Sequence, residues 1–265
     1  MQNPAILAPM TDLVDRLRAA GCVFAEEEAA LLLESEGDLE ELVTRRCAGE
    51  PLEHLLGWAE FAGLRVAVAP GVFVPRKRTE LMARETVALR PRLLVELCCG
   101  AAAVTAAVEA ALPEVRTWVA DIDRAAVDVA RRNVRGRVLI SDLDAALPAE
   151  LRGRVDVIAC NAPYVPTDEV AHLPPEARQH EPRRALDGGS DGLDVIRRAA
   201  ARAGLWLRPG GSLIVETSTA QAPAAAAAFY AAGLRPRIVS DRTATVVLGL
   251  STAEIAEPPR EDARS

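Results

Sequence analysis

The sequence predicts an α/β protein: a doubly wound, mostly parallel sheet of seven strands, preceded by a small helical domain and a β-hairpin linker. From Arg92 onward, short β-branched runs alternate with helical segments, which is the pattern of strand–helix–strand units. The last two runs, 235–239 and 244–248, follow one another without a helix between them and so form an antiparallel pair. Before residue 57 the apolar residues recur at helical spacing instead.

In chain order, residues 1–56 read as helices. Thr11 is expected to cap a segment with Leu13, Val14 and Leu17 on one face, ended by Gly21. Residues 25–36 follow, with Leu31, Leu32 and Leu33 inside and acids in the first turn, where the helix dipole favours them. Asp38 caps a third helix carrying Leu39, Leu42 and Val43, and Pro51 restarts a short one. No polar cluster with evident chemistry stands here, and the domain is assigned to support or substrate recognition. Residues 57–78 alternate around Gly63 and Pro70-Gly71, so a hairpin linker is expected. Thr79 then caps a helix over 80–89, opening the main domain at 79–250. Its strands are 93–97, 117–120, 137–140, 155–160 and 212–215 before the closing pair, with helices at 100–112, 124–133, 191–207 and 220–232. The polar, Pro-rich stretch 251–265 reads as disordered.

The bulk numbers narrow the function. Half of the 265 residues are hydrophobic and 26% charged, which is globular composition. The net charge of -7 excludes bulk attraction to nucleic acid and makes a basic protein surface the easier partner. Its five cysteines are odd in number and lack C-x-x-C spacing, so neither a zinc site nor a disulfide framework follows; no metal and a reducing cytoplasm are expected. No signal-peptide pattern or membrane span is read, and nothing in the sequence demands more than a monomer.

Two stretches carry the chemistry. The segment Glu96-Leu97-Cys98-Cys99-Gly100-Ala101-Ala102 lies where the first strand of the sheet meets its helix, a place where a ligand can approach backbone. Asp121 ends the second strand, placed for ribose hydroxyls, and Asp142 follows the third, within reach of an adenine amino group. Too few glycines are present for a dinucleotide fingerprint, and Glu96 would repel a pyrophosphate. An acid there suits a ligand with a cationic amino-acid tail, which points to S-adenosyl-L-methionine. The second stretch is Asn161-Ala162-Pro163-Tyr164. Pro163 cannot continue a ladder, so the run 155–160 must stop and present Asn161 at the ligand-binding end of the sheet. Asn161 can then hold a planar amide or amino group, with Pro163 and Tyr164 as a flat wall.

These residues resemble a Rossmann-like class I methyltransferase, and more narrowly the HemK-like protein-(glutamine-N5) methyltransferases. The resemblance runs from about Pro51 to Leu248 and rests on four stretches: 51–57; Val74-Pro75-Arg76 to Thr79-Glu80; Asn161 to Pro166; and Glu181-Pro182-Arg183 to Asp191-Gly192-Leu193. It implies methyl transfer from S-adenosyl-L-methionine to a glutamine amide in a protein substrate, a release factor or ribosomal protein. In that reading Asn161 and Tyr164 are catalytic. Glu96, Cys98, Gly100, Asp121, Asp142 and Asn161 hold the cofactor. Asn161, Ala162, Pro163, Tyr164, Pro75, Arg76, Thr79 and Glu80 meet the substrate. The chain departs from the family pattern at Cys98 and Ala102, which replace glycines of the cofactor loop, and at Ala162, which replaces a proline. Cys98 then needs a backbone angle that a non-glycine residue can adopt. The competing readings are an amino-methylating DNA enzyme, disfavoured by the acidic charge and the lack of a basic stripe; a small-molecule N-methyltransferase; and an inactive cofactor-binding scaffold.

Overall fold

The computed structural model describes residues 4–252, with side chains from Met10 onward. The first helices are α1 (Pro4–Ala19), α2 (Ala25–Glu34), α3 (Leu39–Cys47) and α4 (Leu52–Leu56). Leu13, Leu17, Ala29, Leu32 and Val43 are buried together between them. Because successive helical residues point about 100° apart, Leu32 alone of the three consecutive leucines is buried, and Leu33 is exposed. Thr11 does not cap α1: the helix begins at Pro4, and Thr11 lies inside it. Asp38 does cap α3, its carboxylate accepting from the Glu40 and Glu41 amides at 2.9 and 3.3 Å.

A hairpin of β1 (Trp58–Phe61) and β2 (Leu64–Ala67) follows, then α5 (Glu80–Ala88). Thr79 makes no capping bond, because a turn of 3-10 helix at Lys77–Thr79 already places it in helical backbone. The main sheet contains β3 (Leu93–Leu97), β4 (Arg116–Asp121), β5 (Arg137–Ile140) and β6 (Val155–Cys160), then β7 (Leu207–Thr217), β8 (Leu234–Ser240) and β9 (Thr245–Ser251). Helices α6 (Ala103–Ala111) and α7 (Arg124–Asn133) follow β3 and β4, α8 (Pro175–His180) and α9 (Asp194–Ala203) lie between β6 and β7, and α10 (Ala222–Ala231) links β7 to β8. Strand order is β5-β4-β3-β6-β7-β9-β8, parallel from β5 through β7 and antiparallel at β9 and β8. The predicted seven-stranded, mostly parallel sheet is the one observed. Strand β7 begins at Leu207 rather than 212, since its ladder with β6 slips between Val155 and Val157 and resumes. Ser251 closes β9; the rest of the predicted disordered tail, from 253 on, lies outside the described residues.

Both faces of the sheet are covered. Val95, Ile158, Leu213 and Val247 pack on one side with Ile196 and Phe229 of α9 and α10. On the other side Leu94, Val157 and Ile214 pack with Met82 of α5 and Val104 of α6. The order of strands reverses between β3 and β6, and at such a switch point the loops part and leave a crevice at the carboxyl ends.

Candidate active site

That crevice is a cavity of about 260 Å³. Register fixes what lines it: Leu97 stands beside Cys160 and Cys160 beside Val215, so the residues one step beyond, Cys98, Asn161 and Glu216, share one rim.

The cofactor side is the turn from β3 into α6. Cys98, Gly100 and Ala102 have φ of 52°, 52° and 58°, so all three take the left-handed conformation that glycine adopts without penalty. For Cys98 and Ala102 the Cβ makes that costly, by roughly 1–2 kcal/mol each. Surrounding structure holds the turn in place. The Gly100 amide donates to Asp121 Oδ2 at 2.8 Å, and the Asn133 side chain donates to the Ala101 carbonyl at 2.8 Å. The left-handed turn also explains why α6 begins at Ala103 and not at Gly100.

Glu96 is 1% exposed. Its Oε2 accepts from the Thr105 amide at 2.9 Å and from the Thr105 hydroxyl, which leaves Oε1 for the cavity that Glu96 lines. Burial pushes its carboxyl up to about 7, against the pull of the Thr105 bonds. Burial also raises Asp121, whose oxygens accept from the Gly100 and Asp123 amides and keep lone pairs free. Asp142 is at the rim but already engaged: Arg198 of α9 donates to both its oxygens at 2.8 Å. No local pattern gave this pair away, since 56 residues separate its members.

The opposite wall is the loop after β6. The Asn161 side chain reaches the cavity with no hydrogen-bond partner among the described residues, while Ala162, Pro163 and Tyr164 line the wall beside it. The segment 186–192 clamps this loop. Val165 donates to Leu186 O at 3.0 Å, Gly188 to Val165 O at 2.8 Å, and the Gln221 side chain to Tyr164 O at 2.8 Å. The Tyr164 hydroxyl donates to Glu216 Oε1 at 3.0 Å, and Arg78 Nε donates to the same oxygen at 3.1 Å. Burial and the neighbouring Glu216 charge raise the Tyr164 hydroxyl well above its ordinary range, so it is a donor and not a base.

Pro75 and Thr79 line the cavity, but two other residues expected to meet substrate do not. Arg76 turns away to Glu181, at 2.5 Å, and Glu80 accepts the Ala62 amide at 3.1 Å, steadying the hairpin. Sequence reasoning missed Arg78, Glu216 and Phe61. Glu216 had one usable signal, an acid directly after the apolar run of β7, at the same end of the sheet as Asn161.

Comparisons with known proteins fit this geometry. Residues 63–176 match the family model described as "Methyltransferase small domain". A release factor glutamine methyltransferase of Streptomyces coelicolor is 40% identical over 191 residues, covering 68% of this chain and 67% of that one. Another, from Geobacter sulfurreducens, is 36% identical over 196 residues, covering 72% and 69%. The chain belongs to the release factor glutamine methyltransferase family. The resemblance read from the motifs is therefore borne out. A 4-amino-L-phenylalanine/4-methylamino-L-phenylalanine methyltransferase of Streptomyces pristinaespiralis is also similar, 36% identical over 203 residues, with 72% and 69% covered. Among solved structures, a 16S rRNA methyltransferase of T. thermophilus in complex with AdoMet and guanosine aligns with TM-score 0.52 at 20% identity, covering 73% of this chain and 49% of that one. That last likeness concerns the fold, a class I methyltransferase sheet.

Proposed function

We propose that this family member transfers a methyl group from S-adenosyl-L-methionine to the side-chain amide nitrogen of a glutamine in a protein, a bacterial release factor being the first candidate. One observation carries the reading: Asn161 offers an unpartnered side-chain amide into the same cavity that holds the acidic turn of Glu96 and Asp121.

The residues present fit the cofactor. Glu96 Oε1 offers a carboxylate to an ammonium, Asp121 has lone pairs for ribose hydroxyls, and a Cβ built on Gly100 would meet nothing within 4 Å, so the backbone there lies open to a ligand. When bound, S-adenosyl-L-methionine supplies an electrophilic methyl on a positively charged sulfur. The remaining work falls to the chain. An amide nitrogen is a poor nucleophile because its lone pair is delocalised into the carbonyl. The Asn161 side-chain carbonyl and the Ala162 main-chain carbonyl each accept one N–H, which aims the nitrogen and favours the positive charge that grows on it. Pro163 and Tyr164 flank the amide plane and keep water out. No side chain is required as a strong base, since the methylated nitrogen sheds its proton readily.

The helices of residues 1–56 supply protein recognition in this reading. Among the described residues no helix is long and apolar enough to cross a membrane. The Streptomyces pristinaespiralis relative motivates a second reading, methylation of a small arylamine, because the same two acceptors would hold an arylamine nitrogen. Tritiated S-adenosyl-L-methionine decides between them. Label in a single glutamine of a recombinant bacterial release factor, located by mass spectrometry, is the expected result. Label in 4-amino-L-phenylalanine alone would replace this function with the second.

Glu96 supplies a pH prediction. Its carboxyl titrates near 7 in the folded chain, above the ordinary value of 4.5, so the folded state holds a proton that the unfolded state gives up. Stability should therefore fall as pH rises from 4.5 to about 7, by on the order of 3 kcal/mol, and then level off. Glu96→Gln should flatten that slope in denaturant titrations. Cofactor binding should run the opposite way: an ammonium favours the ionised carboxylate, so affinity strengthens with pH up to about 7 in the native enzyme and does not in Glu96→Gln. Calorimetry at several pH values checks both arms.

A further inference from the structure

Two cavity residues, Thr79 and Glu216, keep a buried polar atom that the mechanism above does not use. Glu216 is 1% exposed and Thr79 3% exposed. Glu216 places Arg78 and Tyr164 on one oxygen, Oε1, while Oε2 has no partner among the described residues; Thr79 Oγ1 has none either. Leaving such atoms unpaired is costly, so their persistence in a ligand-binding wall points to groups that a ligand completes. One is a pure acceptor and the other can donate.

The hydrogen-bonding inventory of a glutamine residue shows what they complete. Its side-chain nitrogen has two N–H groups, which Asn161 and Ala162 accept in the proposed mechanism. What remains is the amide carbonyl oxygen, which needs a donor, and the main-chain N–H, which needs an acceptor. We propose that Thr79 and Glu216 are specificity residues for a carboxamide-bearing acceptor: the Thr79 hydroxyl donates to the amide carbonyl oxygen, and Glu216 Oε2 accepts the N–H that Asn161 and Ala162 leave over. This rests on the functional reading above and narrows it, because the nitrogen of an arylamine carries no carbonyl for Thr79. Both residues line the cavity, and each buried atom meets the substrate only after its side chain turns, Arg78 and Tyr164 following the Glu216 carboxylate as it does. Arg78 and Tyr164, held on Oε1, fix which oxygen is left over.

The test uses Thr79→Val and Glu216→Gln in the full chain, with a recombinant bacterial release factor as acceptor. Thr79→Val removes the hydroxyl and keeps the shape; Glu216→Gln turns the free acceptor into a donor while an oxygen can still hold Arg78 and Tyr164. Each is expected to lower kcat/KM by roughly tenfold to a hundredfold, the size of one lost substrate hydrogen bond. The dissociation constant for S-adenosyl-L-methionine, by calorimetry, should stay within twofold. Thr79→Val should also melt at the native temperature or above, since it deletes an unsatisfied buried hydroxyl; a merely structural threonine would lower the melting temperature. Unchanged kcat/KM in both variants, or cofactor affinity falling in step with activity, overturns the inference alone. Failure of the native enzyme to methylate the release factor overturns the functional reading and takes this inference with it.

Discussion

Asn161→Ala is expected to lower methyl transfer by about a thousandfold or more while S-adenosyl-L-methionine still binds within a few fold of the native affinity. The size follows from removing a preorganised acceptor at the nitrogen where charge develops, an effect worth about 10² to 10³ in comparable sites, with loss of substrate aim added. The selectivity follows from position. Asn161 belongs to the loop after β6, whereas the cofactor acids Glu96 and Asp121 belong to β3 and β4. Its side chain bonds to neither, so its removal leaves the turn of Cys98, Gly100 and Ala102 as it was. Single-turnover assays with tritiated cofactor, beside calorimetry on the same preparation, check it. Equal loss of binding and turnover would move Asn161 into the cofactor site.

The second large effect is predicted behind the loop that presents Asn161, at two glycines outside the cavity lining. Gly188→Ala and Gly192→Ala should each destabilise the fold by several kcal/mol and nearly abolish activity. A Cβ on Gly188 would stand 2.6 Å from Pro163 O and 2.5 Å from Gly192 O. On Gly192, where φ is 77°, it would stand 2.2 Å from Tyr164 O. These are backbone atoms and cannot swing aside, so the loop that presents Asn161 has to move. Overpacking alone costs about 1–3 kcal/mol, and the left-handed angle at Gly192 adds about 1–2 kcal/mol more. Chemical denaturation gives the stability loss. Gly204→Ala, where a Cβ would meet nothing within 4 Å, serves as the tolerated control.

Much of this was legible in the sequence, for definable reasons. The strands at Leu93 and Val155 announce themselves as apolar runs, because a parallel strand is buried on both faces and needs no alternation. Asn161 was legible because Pro163 forces the ladder to end. Other features depended on partners remote in sequence. Asp142 looked like a free acceptor until Arg198 folded over it, and Arg76 looked like a substrate residue until Glu181, 105 positions later, claimed it. Thr79 was expected as a helix cap, but the turn before it was already helical. Cys98 and Ala102 could be flagged as positions needing unusual backbone. That both adopt left-handed φ, keeping the shape of the turn, is a property of the folded chain.

The side-by-side register of β3, β6 and β7 has a consequence for how this enzyme can change through time. Sheet faces alternate residue by residue, so deleting or inserting one residue between Val155 and Asn161 would send the asparagine through the sheet to the opposite side. The exposed turn of Arg152, Gly153 and Arg154, at the other end of β6, carries no such constraint. Indels should therefore accumulate before that strand and be purged within it, and lineages of this fold can diversify in length at one end only.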